Sequence, residues 1–170
     1  QSPSPSRVGA ATGMAAAVVR AAQVGATRRI TLNRATALNA LNLDMVRDLQ
    51  PRLERYAEND TVAAVFLEGA GDRAFCAGGD IRSLYDDGRD PSTRENTHNF
   101  FLEEYTLNYL LHRSETPVIS LLDGITMGGG AGLSLHGQFR VATENTLFAL
   151  PETAIGFFPD VGMTHFLPKQ

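Results

Sequence analysis

Two glycine-rich turns, each arriving after a run of apolar, β-prone residues, constrain this chain more than any other feature. The first is Ala74-Phe75-Cys76-Ala77-Gly78-Gly79-Asp80, a few residues beyond the run from Val62 to Leu67. The second is Gly124-Ile125-Thr126-Met127-Gly128-Gly129-Gly130-Ala131-Gly132, just beyond Val118 to Leu122. Continuous apolar strands of this kind belong to sheets with a covered face. Helical sequence separates them. Leu43, Val46, Leu49, Leu53 and Tyr56 recur at helical spacing after Asn42, which is suited to cap the first turn, and Pro51 is expected to kink that helix. Phe100, Phe101, Tyr105, Leu107, Leu110 and Leu111 mark a second helix, closed by Thr116-Pro117. Ile30-Thr31-Leu32, Phe139 to Ala142 and Thr146 to Leu150 read as further strands, and a short helix is expected over Gly129 to His136. Strand and helix alternate, which predicts an α/β fold.

The turns are where chemistry is expected, because ligands of α/β sheets bind beyond the strand ends. Glycine lets the backbone approach a ligand and present bare N–H groups, and a helix starting there adds the positive end of its dipole. Neither turn continues into Gly-Lys-Ser or Gly-Lys-Thr, and Gly-x-Gly-x-x-Gly is absent, so a phosphate loop does not fit. An oxyanion hole does, set against the plainer reading of two tight turns with close packing. A third segment, Leu150 to Gly162, holds two carboxylates, Glu152 and Asp160, in an apolar stretch stiffened by proline and glycine. Burial there would raise a carboxyl pKa towards neutrality and suit acid, base or nucleophilic work. On spacing alone the plainer alternative stands, with Glu152 capping a helix and Asp160 in a solvated turn.

Other candidates are weaker. Cys76 reads as a buried free thiol, since no histidine lies near it in sequence. His98, His112, His136 and His165 lack metal-ligand spacing, so no metal site is expected. Asp86, Asp87 and Asp90 read as an acidic surface loop. The net charge is −4 over 170 residues and the arginines are scattered, so no nucleic-acid footprint forms. No apolar run is long enough to span a membrane. Residues 1–43 carry five arginines and no acid. That start is similar to an organellar transit peptide, the alternative being an Ala-rich tail of accidental basicity. Residues 1–27, dominated by Ser, Pro, Ala and Gly, would pack poorly and are expected to form a leader or flexible arm, with order beginning at Arg29 and one folded domain over 28–170.

Four segments together resemble the crotonase (enoyl-CoA hydratase/isomerase) superfamily in order and spacing. They are Ile30 to Arg34 with Ala37 to Leu41, then Ala74 to Ile81, then Asp123 to Gly130, then Pro151 to Gly156. Gly132 to Thr143 and Phe158 to Gly162 are similar to the 3-hydroxyisobutyryl-CoA hydrolase branch. The resemblance implies a crotonase-like ββα spiral, here the N-terminal part of the core only, with apolar faces left uncovered. It implies hydrolysis of a 3-hydroxyacyl-CoA thioester in valine breakdown, in a mitochondrial setting. No cofactor is implied, because coenzyme A is part of the acyl-CoA substrate, and a homo-oligomer would form through regions outside this chain. The alternatives are an enoyl-CoA hydratase or isomerase, and a non-catalytic structural subunit. On the same footing, the N–H groups of Gly79 and Gly129 match the family's oxyanion hole, and Glu152 matches a carboxylate that hydratases also use. Asp160 matches the hydrolase branch, Glu104 a substrate-contacting position, and Thr36, Ala37 and Arg82 the contacts to the CoA nucleotide. Gly132 stands where hydratases carry a second catalytic glutamate. Ala35 and Thr36 replace the family's usual proline and lysine.

Overall fold

The computed structural model describes residues 17–169. Of the expected leader, residues 1–16 lie outside that range. The remainder departs from expectation: Val19–Val24 is strand β1, paired antiparallel with β2 (Thr27–Leu32) from Val19 opposite Leu32 to Val24 opposite Thr27. Order thus begins well before Arg29. Only Val19 of β1 is buried, so the strand is held by its backbone ladder and carries almost no apolar alternation for sequence reading to detect.

After this hairpin the chain runs in three turns of one pattern: a longer strand, a short strand, then helical structure. The first turn is β3 (Ala64–Gly69), β4 (Ala74–Cys76), α2 (Ile81–Arg89) and α3 (Arg94–Arg113). The second is β5 (Val118–Leu122), β6 (Ile125–Met127) and α4 (Gly129–Leu135). The third is β7 (Phe139–Ala142), β8 (Leu147–Ala149) and a 3-10 turn over Glu152–Ile155. A helix α1 (Leu43–Ala57) joins the hairpin to the first turn, and α5 (Met163–Phe166) follows the last. The long strands form one sheet, β1-β2-β3-β5-β7, parallel from β2 onward, and the short strands form a second, β4-β6-β8, wholly parallel. This is the expected α/β spiral. Of the second sheet, β8 matches the strand expected over Thr146 to Leu150, whereas β4 and β6 are three-residue strands inside the glycine-rich segments, shorter than any readable period.

Helix α1 starts where Asn42 caps it, the side chain accepting from Met45 N at 3.0 Å, and it runs to Ala57 as one element with Pro51 inside. Its buried face is Met45, Val46, Leu49 and Leu53. That face packs with Phe100, Leu107 and Leu111 of α3 and with Ile30, Leu32, Val65, Leu67 and Val118 of the large sheet, forming the main core. A smaller cluster of Ala131, Val161 and Met163, with Leu135 and Leu150 against it, ties α4 to the loop before α5. Asp86 and Asp87 lie within α2 rather than in a loop, and Asp90 closes that helix. Phe139, Val141 and Leu147 of the third turn are exposed. Among the described residues no helix is long and apolar enough to cross a membrane.

Candidate functional site

The three short strands are adjacent and parallel, so their C-terminal ends lie along one edge. Gly79 follows the end of β4, Gly129 follows the end of β6 and Glu152 follows the end of β8. Three segments far apart in sequence therefore open onto one place, the geometry that makes strand ends of α/β sheets into binding sites. A cleft of about 490 Å³ forms there, and Gly79, Gly129, Glu104, Glu152 and Asp160 all line it. Leu84, Phe100, Phe101, Ile155 and Phe157 supply apolar wall.

The glycines are required by space and by backbone. Gly78 and Gly128 have φ of +110° and +47°, in the left-handed region. A Cβ on Gly128 would stand 2.9 Å from Glu152 Oε1. A Cβ on Gly129 would collide with Glu104 Oε1 and reach 3.4 Å from Gly79 N, which places the two turns in contact. Gly129 N–H opens helix α4 and has no intrahelical partner. Gly79 is bridged to Leu41, yet that bridge uses Gly78 O and Asp80 N, at 2.8 and 2.7 Å, and leaves Gly79 N–H over. Among the described residues neither amide donates to a protein acceptor.

The carboxylates differ in environment. Glu104, on the inward face of α3, is 2% exposed with Oε1 unpartnered, and burial, then the charge of Asp160, push its pKa up to about 8. At neutral pH it is a carboxylic acid, a hydrogen-bond donor. Glu152 is buried with Oε2 unpartnered, and burial raises its pKa, helped by Asp160 and opposed by its own backbone N–H. It is the first residue of a 3-10 turn whose cap is Pro151, so the capping role is not what it performs. Asp160 lies in a turn, half-buried, and its Oδ2 accepts from the Tyr105 hydroxyl at 2.7 Å. Burial and that acceptor together hold the Tyr105 phenol above its usual range.

Gly132, on the same helix as Gly129, faces no open space. A Cβ there would stand 3.0 Å from Asn108 Oδ1, 3.1 Å from its Nδ2 and 3.0 Å from Val161 Cβ. Asn108 and Val161 pack directly against this glycine, and both amide atoms of Asn108 are buried without partners. Val161 has φ +43°, a strained conformation for a β-branched residue that costs about 1–3 kcal/mol.

Thr36, Ala37 and Arg82 are not among the lining residues of the cleft. Thr36 and Ala37 sit in a 3-10 turn and Arg82 in the first turn of α2, exposed. They flank the site nonetheless, because Ala77 N and Leu41 N donate to Leu38 O and Gly78 O and lay that loop along the Gly79 turn. Arg34 fastens the two with an ion pair to Asp80 at 2.7 Å. Cys76 is fully buried, with its thiol pushed up to about 12 by burial, and is part of the core. No cluster of three or more histidines, cysteines or acids able to hold a metal ion occurs among the described residues.

Sequence reading missed Tyr105, Asn108 and Val161 as parts of the site. The signal for Asn108 was present: counting from Phe100 at helical spacing gives 104, 107, 108 and 111, so Glu104 and Asn108 fall in the buried stripe.

Comparison with known proteins agrees with this architecture. The 3-hydroxyisobutyryl-CoA hydrolase, mitochondrial, of Danio rerio is 52% identical over 147 residues, covering 86% of this chain and 38% of the relative. The protein of that name from Homo sapiens is 50% identical over 145 residues, covering 85% and 37%. The chain thus spans under two-fifths of the length of these curated relatives. Among solved structures, a carnitinyl-CoA dehydratase from Mycobacterium thermoresistibile superposes with a TM-score of 0.82 at 41% identity, over 86% of this chain and 43% of its own. Residues 27–170 match the enoyl-CoA hydratase/isomerase family, and with the ββα spiral and the paired glycine turns in place, the chain belongs to that family.

Proposed function

We propose that this chain carries the catalytic cleft of an acyl-CoA thioester hydrolase acting on 3-hydroxyisobutyryl-CoA in valine breakdown, within mitochondria. One observation carries the reading: two free amides and the carboxyls of Glu152 and Asp160 share a cleft, while Gly132 does not line it and packs against Asn108 and Val161. Hydration needs two carboxylates working on one water, and Gly132 supplies no second one. The names of the relatives, which are about half identical to this chain over 85% or more of it, support the substrate.

The thioester carbonyl oxygen accepts from Gly79 N–H and Gly129 N–H. As negative charge grows on it, each preorganised donor contributes roughly 2.7–4 kcal/mol to the transition state. Two routes lead from there to free acid and CoA. In one, Glu152 adds to the carbonyl carbon, CoA leaves as thiolate, and water cleaves the mixed anhydride. In the other, Glu152 takes a proton from water as its oxygen adds to the carbonyl carbon, and the proton passes to the departing sulfur. Asp160, held by Tyr105, orients the substrate hydroxyl and assists proton transfer. Glu104, neutral at pH 7, donates a hydrogen bond at the mouth of the oxyanion hole. CoA is consumed as part of the substrate, and no further cofactor enters either route. Thr36, Ala37 and Arg82, beside the cleft, serve the CoA nucleotide.

Release of free thiol from 3-hydroxyisobutyryl-CoA tests this, using this chain and a version extended to the length of its relatives, with crotonyl-CoA hydration measured alongside. Thiol release that disappears in Glu152→Gln is the expected result. Hydration without thiol release, or no turnover in either version, overturns it. Borohydride trapping during turnover separates the routes, since only the anhydride leaves a reduced, mass-shifted Glu152.

A further inference from the structure

Asp160 is delivered to the cleft by a backbone that does not hold its shape unaided. The next residue, Val161, has φ +43° and Gly162 follows at +75°. What restrains Val161 lies behind the cleft. Its side chain is buried against Gly132, and its carbonyl accepts from His136 Nε2 at 2.7 Å. Donation to a carbonyl requires the proton on Nε2, so His136 is the Nε2–H tautomer, and its Nδ1 is buried without a partner. Burial lowers the imidazole pKa, so the ring is neutral at pH 7. The ring is fixed in turn. Phe166 packs edge-on at 4.5 Å and His112 at 6.3 Å, and a Cβ on Gly162 would meet Cε1 at 3.3 Å. His136 is not among the residues lining the catalytic cleft; it borders a second cavity of about 450 Å³ that shares only Asp160 with it.

We infer that His136 is a positioning residue for Asp160: its Nε2–H, bonded to the Val161 carbonyl, locks the left-handed turn that aims the Asp160 carboxylate at the cleft and at the Tyr105 hydroxyl. The role assigned to Asp160 in turnover rests on the hydrolase reading above, whereas the placement of Asp160 does not, so two measurements separate them. His136→Phe keeps a ring between Phe166 and His112 and removes the donor. His136→Gln restores an amide N–H at similar reach. With the hydrolase active, H136F lowers kcat about tenfold or more with KM within about twofold, as expected for a displaced group rather than lost binding, and H136Q recovers most of it. The second measurement needs no turnover. A 3-fluorotyrosine at position 105 reports the hydrogen bond to Asp160, and its fluorine resonance shifts in H136F and returns in H136Q. Should H136F not fold, His136→Asn, too short to span to the carbonyl, takes its place. An unchanged fluorine resonance in H136F overturns the inference, as does a fall in kcat that H136Q does not reverse. An inactive wild type overturns the hydrolase reading alone, with the fluorine resonance still deciding the role of His136.

Discussion

Glu104→Gln is expected to stabilise the protein, and to do so increasingly as pH rises. The carboxyl is 2% exposed, one of its oxygens has no partner, and burial followed by the charge of Asp160 moves its pKa from an ordinary 4.5 to about 8. In the unfolded chain it returns to the ordinary value. Between those values the folded protein binds a proton that the unfolded chain has released, so stability falls with rising pH across that window. The contribution is fully present below about pH 4.5, declines by about 1.4 kcal/mol per pH unit, and is lost once pH passes the folded value near 8. The accumulated loss is about 5 kcal/mol, an upper figure, since water entering the cleft would reduce it. Glutamine keeps the shape and a donor and cannot ionise, so the variant escapes this decline. Urea unfolding followed by circular dichroism from about pH 5 to about pH 9 gives the comparison, helical signal being the natural probe in a chain without tryptophan. The difference in unfolding free energy should grow steadily with pH and level off near the folded pKa. A difference independent of pH would show that Glu104 titrates like a solvated carboxylate, and would remove the argument that it acts as a neutral donor.

Gly129→Ala should abolish most thioester cleavage, by about 10²–10³ in kcat, because the methyl collides with Glu104 Oε1 and crowds Gly79 N; steady-state thiol release checks it. Asn39→Ala should cost roughly 2–4 kcal/mol in urea melts. The Asn39 side chain is fully buried, accepts from Arg34 N and donates to Ala70 O and Ala74 O, so its loss leaves carbonyls unpaired beside the first glycine turn. Cys76 should not react with a thiol reagent in the folded protein at pH 8 and should react at once in denaturant, since it is fully buried with its pKa pushed up to about 12.

The parts of this fold that sequence reading recovers are those whose cause is local. Asn42 caps α1 and the apolar stripe from Met45 to Leu53 buries it, so the helix is visible in its own residues. The strands β2, β3 and β5 are visible through their apolar content, and each turns alternate residues into the core. β1 escapes because a single buried residue leaves no pattern, and β4 and β6 escape because their glycine-flanked residues acquire strand character only by pairing with one another across about fifty residues of chain. The site divides along the same line. Gly79, Gly129, Glu152 and Asp160 are nameable from motifs that resemble a family, whereas Gly79, Gly129 and Glu152 meet because three adjacent parallel strands end at one edge, and Asp160 reaches the same cleft through the turn at Val161. Gly132 shows the difference most clearly. As a letter it records only that a glutamate is missing. In the fold it is the floor on which Asn108 and Val161 rest, and Val161 is what turns the chain to present Asp160. A side chain at 132 would therefore press on Asn108 and on the Val161 turn that leads to Asp160.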